Sequence, residues 1–552
     1  MNALRVGYAI GVVVLVAVPL LMPFTGLLEP TAWIWTNDDI ARLLYLARNT
    51  LILTTATTAL SVPLGICLAV LLFRTSFTGR RCIQFVLVLA LFVPLPVLTS
   101  SWQGLLGADG WLPMEFWRGA AARPWVTGLG AAIWIHTLAA VPWVAFIVGI
   151  GLTWVESELE DEAAQIVGPW RVLALVTLPR ARASVLAAAL FVVLQTAGET
   201  NVTDILMVPT LADEMRTQFA LGDRAALSRT LVLALPSLLL VWGAMLAVLA
   251  YLEKHLPPLA PPARELGPLD LGRARLRLGA AIVLVMVLCA PLSSLIWKLG
   301  LSAPPGHRPI GEVASLTWHF ETAWHFLQAE TRLLGITLAA TLATSVVAGF
   351  LVAGLALSAC WLARESRWFR AILFSALTWI WVLPGSAVGI GLHDTIMAIV
   401  QHMPEGPWTL LLYRGPSPLP LVWAQTIRAL PIAIVFLWPV VRMIPREWFE
   451  EARLGGAGPA SEFVHVILPM TWRAELVTAL ASAALCLGEV AASARVETPG
   501  WESFTKMLLD RMHYGVDNTV AALSILMLAG LALFALGSVS LWQLMRSLGS
   551  TN

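Results

Sequence analysis

Glu160-Asp161-Glu162-Ala163-Ala164 runs on to Gly168-Pro169 and closes with Val176-Thr177-Leu178-Pro179. Far downstream, Glu450-Glu451-Ala452-Arg453-Leu454 runs on to Gly456-Ala457-Gly458-Pro459 and closes with Val466-Ile467-Leu468-Pro469. Glu160 and Glu450, Pro169 and Pro459, Pro179 and Pro469, Gly198 and Gly488, and Glu199 and Glu489 all stand 290 residues apart. One offset held without a gap over such a stretch marks an internal duplication. The copies run head to tail, so the chain reads as two halves of like order, each with this loop between apolar segments.

The surroundings of the loops set the class. The chain is 58% apolar and only 12% charged, with a mean hydropathy of +0.79. Apolar runs of about 20 residues, the length that crosses a bilayer as a helix, recur throughout. Twelve are expected, at 6–24, 48–73, 82–101, 127–154, 183–209, 229–252, 277–299, 333–362, 370–394, 419–443, 472–492 and 518–545. The fold class expected is therefore all-α, a polytopic membrane protein of about twelve spans in two parallel six-helix repeats. The first run continues into Pro23-Phe24 without a small-x-small cleavage site and reads as a retained anchor.

Arg and Lys placement orients the chain. Arg74, Arg80 and Arg81 share one loop, Arg171, Arg180 and Arg182 the next on that side, and Arg364, Arg367, Arg370, Arg442, Arg446, Arg453 and Arg473 follow. Both duplicated loops thus fall on the cytoplasmic side, and an even number of spans puts both termini there. The segment 253–276 carries Pro257, Pro258, Pro261, Pro262 and Pro268 and reads as a stiff extended linker. The expected organisation is an anchor and outer segment at 1–45, a first transmembrane domain at 46–252, the linker at 253–276, a further helix and outer segment at 277–330, and a second transmembrane domain at 331–546. The basic residues are scattered over loops, which gives no stripe for nucleic acid. Tryptophans near segment ends (Trp33, Trp35, Trp102, Trp111, Trp117, Trp297, Trp318, Trp324) suit an interfacial belt. The five cysteines lack metal or disulfide spacing, His307, His319 and His325 lack ligand spacing, and no metal site or cofactor is expected.

Within the loop, Ser157 followed by Glu160 has capping-box spacing, expected to start a short helix with acidic residues in its first turn. Ala163 and Ala164 would leave a smooth face for close packing, and Gly168-Pro169 would end that helix and let a second begin. Glu-Ala-Ala, three residues, Gly, and nine residues before Ile-x-Leu-Pro resembles the EAA loop of permease subunits of bacterial ABC importers. The second copy fits that pattern through Glu450, Gly456, Val466, Leu468 and Pro469. The first departs: with Glu162-Ala163-Ala164 as the motif, Gly168 is in place but the stretch to Val176 is two residues short. At the 290-residue offset Glu160 takes the Glu place and Ile166 replaces the Gly. Asn49-Thr50-Leu51, Pro63, Gly65, Arg74-Thr75, Gly79-Arg80-Arg81, Pro142 and Pro431 are similar to other parts of that family's transmembrane domain.

The resemblance implies a fused, type I importer permease in the bacterial cytoplasmic (inner) membrane, with one chain supplying both halves. It implies an ATPase-coupling surface at Glu160, Glu162, Ala163, Ala164, Gly168, Pro169, Glu450, Glu451, Ala452, Gly456 and Pro459. The implied partners are two ATP-binding subunits, an external substrate-binding protein and the lipid bilayer. Gly198-Glu199-Thr200 and Gly488-Glu489-Val490 look most like the ferric-iron branch, with thiamine, polyamines or an oxyanion as other substrates. A phosphate-binding loop needs Gly-Lys-Ser/Thr; Lys254, Lys298 and Lys506 are the only lysines and none follows Gly. ATP hydrolysis is expected on separate subunits, with no catalytic residue here. Carboxylates at membrane depth are costly and mark paths or partners, so Gln195, Glu199, Thr203, Asp204 and Glu489 are candidates for a translocation path. Gln195 and Thr203 are expected on the helical face of Glu199, at minus four and plus four. The rival expectation is a 6+6 transporter driven by an ion gradient, with the carboxylates as its ion sites.

Overall fold

The computed structural model describes residues 2–76, 79–107, 110–112, 115–118, 121–222, 224–255, 273–302 and 317–549. Residues 256–272, most of the Pro-rich linker, and His307 lie outside the described residues. The chain is an all-α, polytopic protein. Among the described residues, nine helices are long and apolar enough to cross a membrane, or up to twelve if each of three bent pairs counts as one span.

In chain order the elements are α1 (Val6–Leu28), α2 (Asn37–Arg74), the pair α3 (Arg80–Leu91) and α4 (Leu95–Leu106), and α5 (Gly128–Thr153). There follow α6 (Ser157–Ala164), the pair α7 (Pro169–Arg180) and α8 (Arg182–Ala197), short α9 (Asn201–Ile205), α10 (Leu211–Ala220) and α11 (Ala225–Tyr251). Past the linker come α12 (Gly279–Gly300), α13 (Phe320–Arg364), the pair α14 (Arg367–Val382) and α15 (Gly385–His402), and α16 (Leu419–Met443). The chain then forms α17 (Arg446–Leu454), α18 (Pro459–Leu487), α19 (Phe504–Met512) and α20 (Asn518–Ser540). Two short antiparallel ribbons, Glu115–Arg118 with Ala121–Pro124 and Leu301–Ser302 with Thr317–Trp318, are the strands among the described residues.

Three expected spans are broken. At 82–101 and 370–394 the chain turns by 104° and 107°. Pro94 and Pro384, at ψ 140° and 145°, lack the amide that a continuing helix needs and force the residue before them out of helical geometry. The span expected at 183–209 instead begins at Pro169, bends by 67° after Arg180 and stops at Ala197. Likewise the run expected at 472–492 is helical from Pro459 to Leu487.

Small residues let the helices approach closely. A Cβ on Gly349 would lie 2.4 Å from the Ala479 carbonyl oxygen, so α13 and α18 pack backbone to backbone. The two outlying helices reach across the molecule. On α1, the Tyr8 hydroxyl donates to the Leu355 carbonyl at 2.8 Å, and the carbonyl of Leu15 accepts from the Trp423 indole at 2.6 Å. On α12, Ser294 donates to the Ser101 carbonyl of α4 at 2.5 Å. Each half's first helix therefore touches the other half as well as its own, where Asn518 donates to the Leu299 carbonyl of α12 at 3.0 Å and Gly26 of α1 packs on Ser228 of α11.

Candidate functional site

The duplicated loops lie at one end of the bundle, where α2, α5, α13 and α16 finish. In the first, Glu156 takes the cap position of α6 without donating or accepting through its side chain, so the expected Ser157 capping box does not form. Glu160 turns inward instead. Its buried carboxylate accepts from the Arg74 guanidinium, at the end of α2, and from the Thr177 hydroxyl on α7. A carboxylate leaves water only with such partners, and here the partners clamp α6 onto two neighbouring helices. Glu158, Asp161, Glu162, Ala164, Gly168 and Pro169 stay exposed, Ala163 is half-buried, and Ile166 and Trp170 project beside them.

The second loop reaches a similar shape by other bonds. Arg364, 290 residues after Arg74, places its guanidinium 4.1 Å from the Phe449 ring centroid and donates to the Ile444 carbonyl. Glu450 is exposed, as are Glu451 and Gly456, while Ala452 and Pro459 are half-buried. Arg453 bridges α17 to Glu462 at 2.9 Å and to Glu365, and those bonds raise its pKa above the ordinary arginine value. The indole of Trp361 donates to the other oxygen of Glu462 at 3.0 Å. Gly456 turns the chain at φ +81°, a conformation glycine adopts freely. At the matching place Ile166 ends α6 with a backbone hydrogen bond to Ala163 of 3.1 Å and keeps an ordinary φ.

A cavity of about 790 Å³ opens between the halves. Gly198, just past α8, lies against Pro384, and Gly488, just past α18, lies against Pro94; the amide of Gly385 donates to the Gly198 carbonyl at 3.4 Å. Trp143 and Phe191 stand 4.9 Å apart on its wall, with Trp381 of the other half 6.2 Å from Phe191. Gln195, Glu199 and Glu489 line it, and Thr203 and Asp204 do not.

The carboxylates sit differently from expectation. Both helices end before them, so Glu199 and Glu489 occupy breaks and the shared face expected for Gln195, Glu199 and Thr203 does not exist. Glu199 accepts from the amides of Asn201 and Val202 at 2.6 and 2.9 Å, and Glu489 from those of Ala492 and Ser493 at 2.8 and 3.0 Å. Each caps the turn that follows it, which gives the charge fixed donors inside the bundle. The Thr203 hydroxyl bonds back to the carbonyl of Thr200 at 3.2 Å.

Sequence reasoning passed over three cavity residues. His136 on α5 is buried with its Nε2 3.7 Å from Glu199. Gln425 on α16 donates to the Cys486 carbonyl at 3.0 Å and leaves its buried Oε1 without a hydrogen-bond partner. Arg428 donates to the Leu383 carbonyl at 3.4 Å, with Glu489 as its charge partner. The signal was present: each is a polar residue within an apolar run. Among the described residues no group of three His, Cys, Asp or Glu could hold a metal ion. No known family model matches the chain, and neither does any curated protein.

Proposed function

We propose that this chain is the fused permease of an ATP-driven bacterial importer. In that reading the halves are parallel six-helix copies in the cytoplasmic membrane, with both termini and both duplicated loops on the inner side. Two separate ATP-binding subunits grip the loops, an external binding protein delivers the substrate, and closure of the ATPases rocks the halves about the cavity between them. One observation carries the reading. Two acidic helices at a 290-residue offset, α6 and α17, stand exposed at the same end of the bundle, α6 held by buried bonds to α2 and α7, and α17 by Arg453 to Glu462 of α18, whose other end lines the cavity. A helix so anchored transmits a push to the spans. Ferric iron is the favoured substrate, on the Gly198-Glu199 and Gly488-Glu489 stretches, with thiamine, polyamines and oxyanions as alternatives.

Purification of the tagged chain from native membranes in mild detergent, followed by mass spectrometry, tests this directly. The expected result is an ATP-binding subunit at about two copies per chain. Substituting Glu450-Glu451-Ala452 should abolish transport and leave membrane insertion intact; unaffected transport sinks the reading. The buried His136–Glu199 neighbours favour the rival, an ion-gradient transporter, because such a pair can exchange a proton. Absence of an ATPase partner, where other such complexes survive extraction, would select it.

A further inference from the structure

At the end of the bundle away from the duplicated loops, one ion pair joins residues 309 positions apart. The Asp204 carboxylate, past the first half's cavity, accepts from His513 Nε2 at 2.9 Å. The other Asp204 oxygen accepts from the Arg216 guanidinium, which also holds Asp213 at 2.9 Å. His513 Nδ1 lies 3.0 Å from the carbonyl of Leu509, on its own helix α19.

Both ring nitrogens of His513 thus face an acceptor. A carbonyl oxygen cannot donate, and the Asp204 carboxylate, which also accepts from Arg216, offers only acceptor oxygens. A neutral imidazole carries one N–H, so either tautomer would set a lone pair against an oxygen. Only the imidazolium satisfies both contacts. The other charged groups around the pair are Glu199, Asp213 and Arg216 on the first half, and Arg495, Asp510 and Lys506 on the second, with Lys506 taken up by Asp510 at 2.9 Å. Arg216 opposes the imidazolium, and the bond to Asp204 outweighs it, which raises the His513 pKa above its ordinary value.

We propose that Asp204 and His513 form a proton-dependent closure between the two halves at the end opposite the duplicated loops, open when His513 is neutral. Its purpose, an outer gate over the cavity, rests on the importer reading; the contact and its titration do not. As pH rises, His513 loses its proton and its charge, either neutral tautomer sets one ring lone pair against an oxygen, the attraction to Asp204 weakens, and the halves part at this point.

The test uses the full chain in lipid nanodiscs, with exposed Cys67, Cys82 and Cys289 replaced by alanine and nitroxide labels on Met207→Cys and Tyr514→Cys. These positions are 88% and 94% exposed and flank the pair on either half. Pulsed electron resonance should show a short distance at about pH 5 whose population is lost by about pH 8, the range in which imidazole titrates. His513→Lys, charged throughout, should hold the short distance at both ends of the range. His513→Gln and Asp204→Asn should give a distribution that ignores pH. A wild-type distance that does not move, or a shift that survives in His513→Gln, overturns the closure and leaves the importer reading untouched. Absence of an ATPase in membranes would do the reverse.

Discussion

Glu160 and Glu450 are the same residue at the same place in a duplicated loop, yet one is buried between Arg74 and Thr177 and the other faces solvent. Removing one member of a buried ion pair strands the other and costs about 3–5 kcal/mol. Glu160→Ala should therefore lower the melting temperature in detergent steeply. Glu450→Ala should change stability by no more than about 0.5 kcal/mol, as surface substitutions do. Equal losses in the two variants would refute the clamp. Glu199 and Glu489 carry a second residue-scale prediction. If their work is capping, Glu199→Gln and Glu489→Gln each leave one buried amide without an acceptor, at about 1–3 kcal/mol. A substrate ligand would instead lose transport with stability unchanged, so melting curves beside uptake separate the roles.

Among the elements, the two short loop helices end differently. Gly456→Val would force a branched side chain into left-handed backbone, which costs about 1–2 kcal/mol, whereas Ile166→Gly changes an exposed residue of ordinary conformation. Thermal melting should register the first and barely the second. The spans were legible in sequence because a run of about 20 apolar residues has few other fates. The breaks were not. Pro142 and Pro431 sit inside intact helices while Pro94 and Pro384 begin new ones, and a proline alone does not tell a tolerated kink from a turn. Glu199 read as a membrane-embedded acid because the apolar run continues past it; its fate was set by Gly198, which packs on Pro384, a contact from the other half that no local pattern contains. The loop surface was legible as an acidic, alanine-smoothed ridge. The partner of Glu160 was not, since Arg74 lies 86 residues away.

For the molecule as a whole, α1 bonds to the second half and α12 to the first, each besides packing on its own half, so the halves are held by more than the linker. Co-expression of residues 1–262 and 263–552 as separate pieces should yield a complex that survives purification through a tag on one piece. Recovery of the tagged piece alone would contradict the crossed packing. Stability should depend on pH through His513. A group whose folded pKa is raised contributes its full stabilisation below its unfolded value of about 6.5, and that contribution disappears as pH climbs through the raised value. The melting temperature of the wild type should fall toward that of His513→Gln as the solution turns alkaline, and a constant gap between them would exclude the linkage.

The cavity wall is asymmetric. At the 290-residue offset Arg428 stands opposite Leu138 in the alignment of the halves, Gln425 opposite Ile135, and His136 opposite Thr426. Two identical chains around one cavity would carry every substitution twice and set two such guanidiniums near each other. A single chain is under no such restraint, and among the described residues this cavity is lined by one arginine and one histidine, on unlike walls.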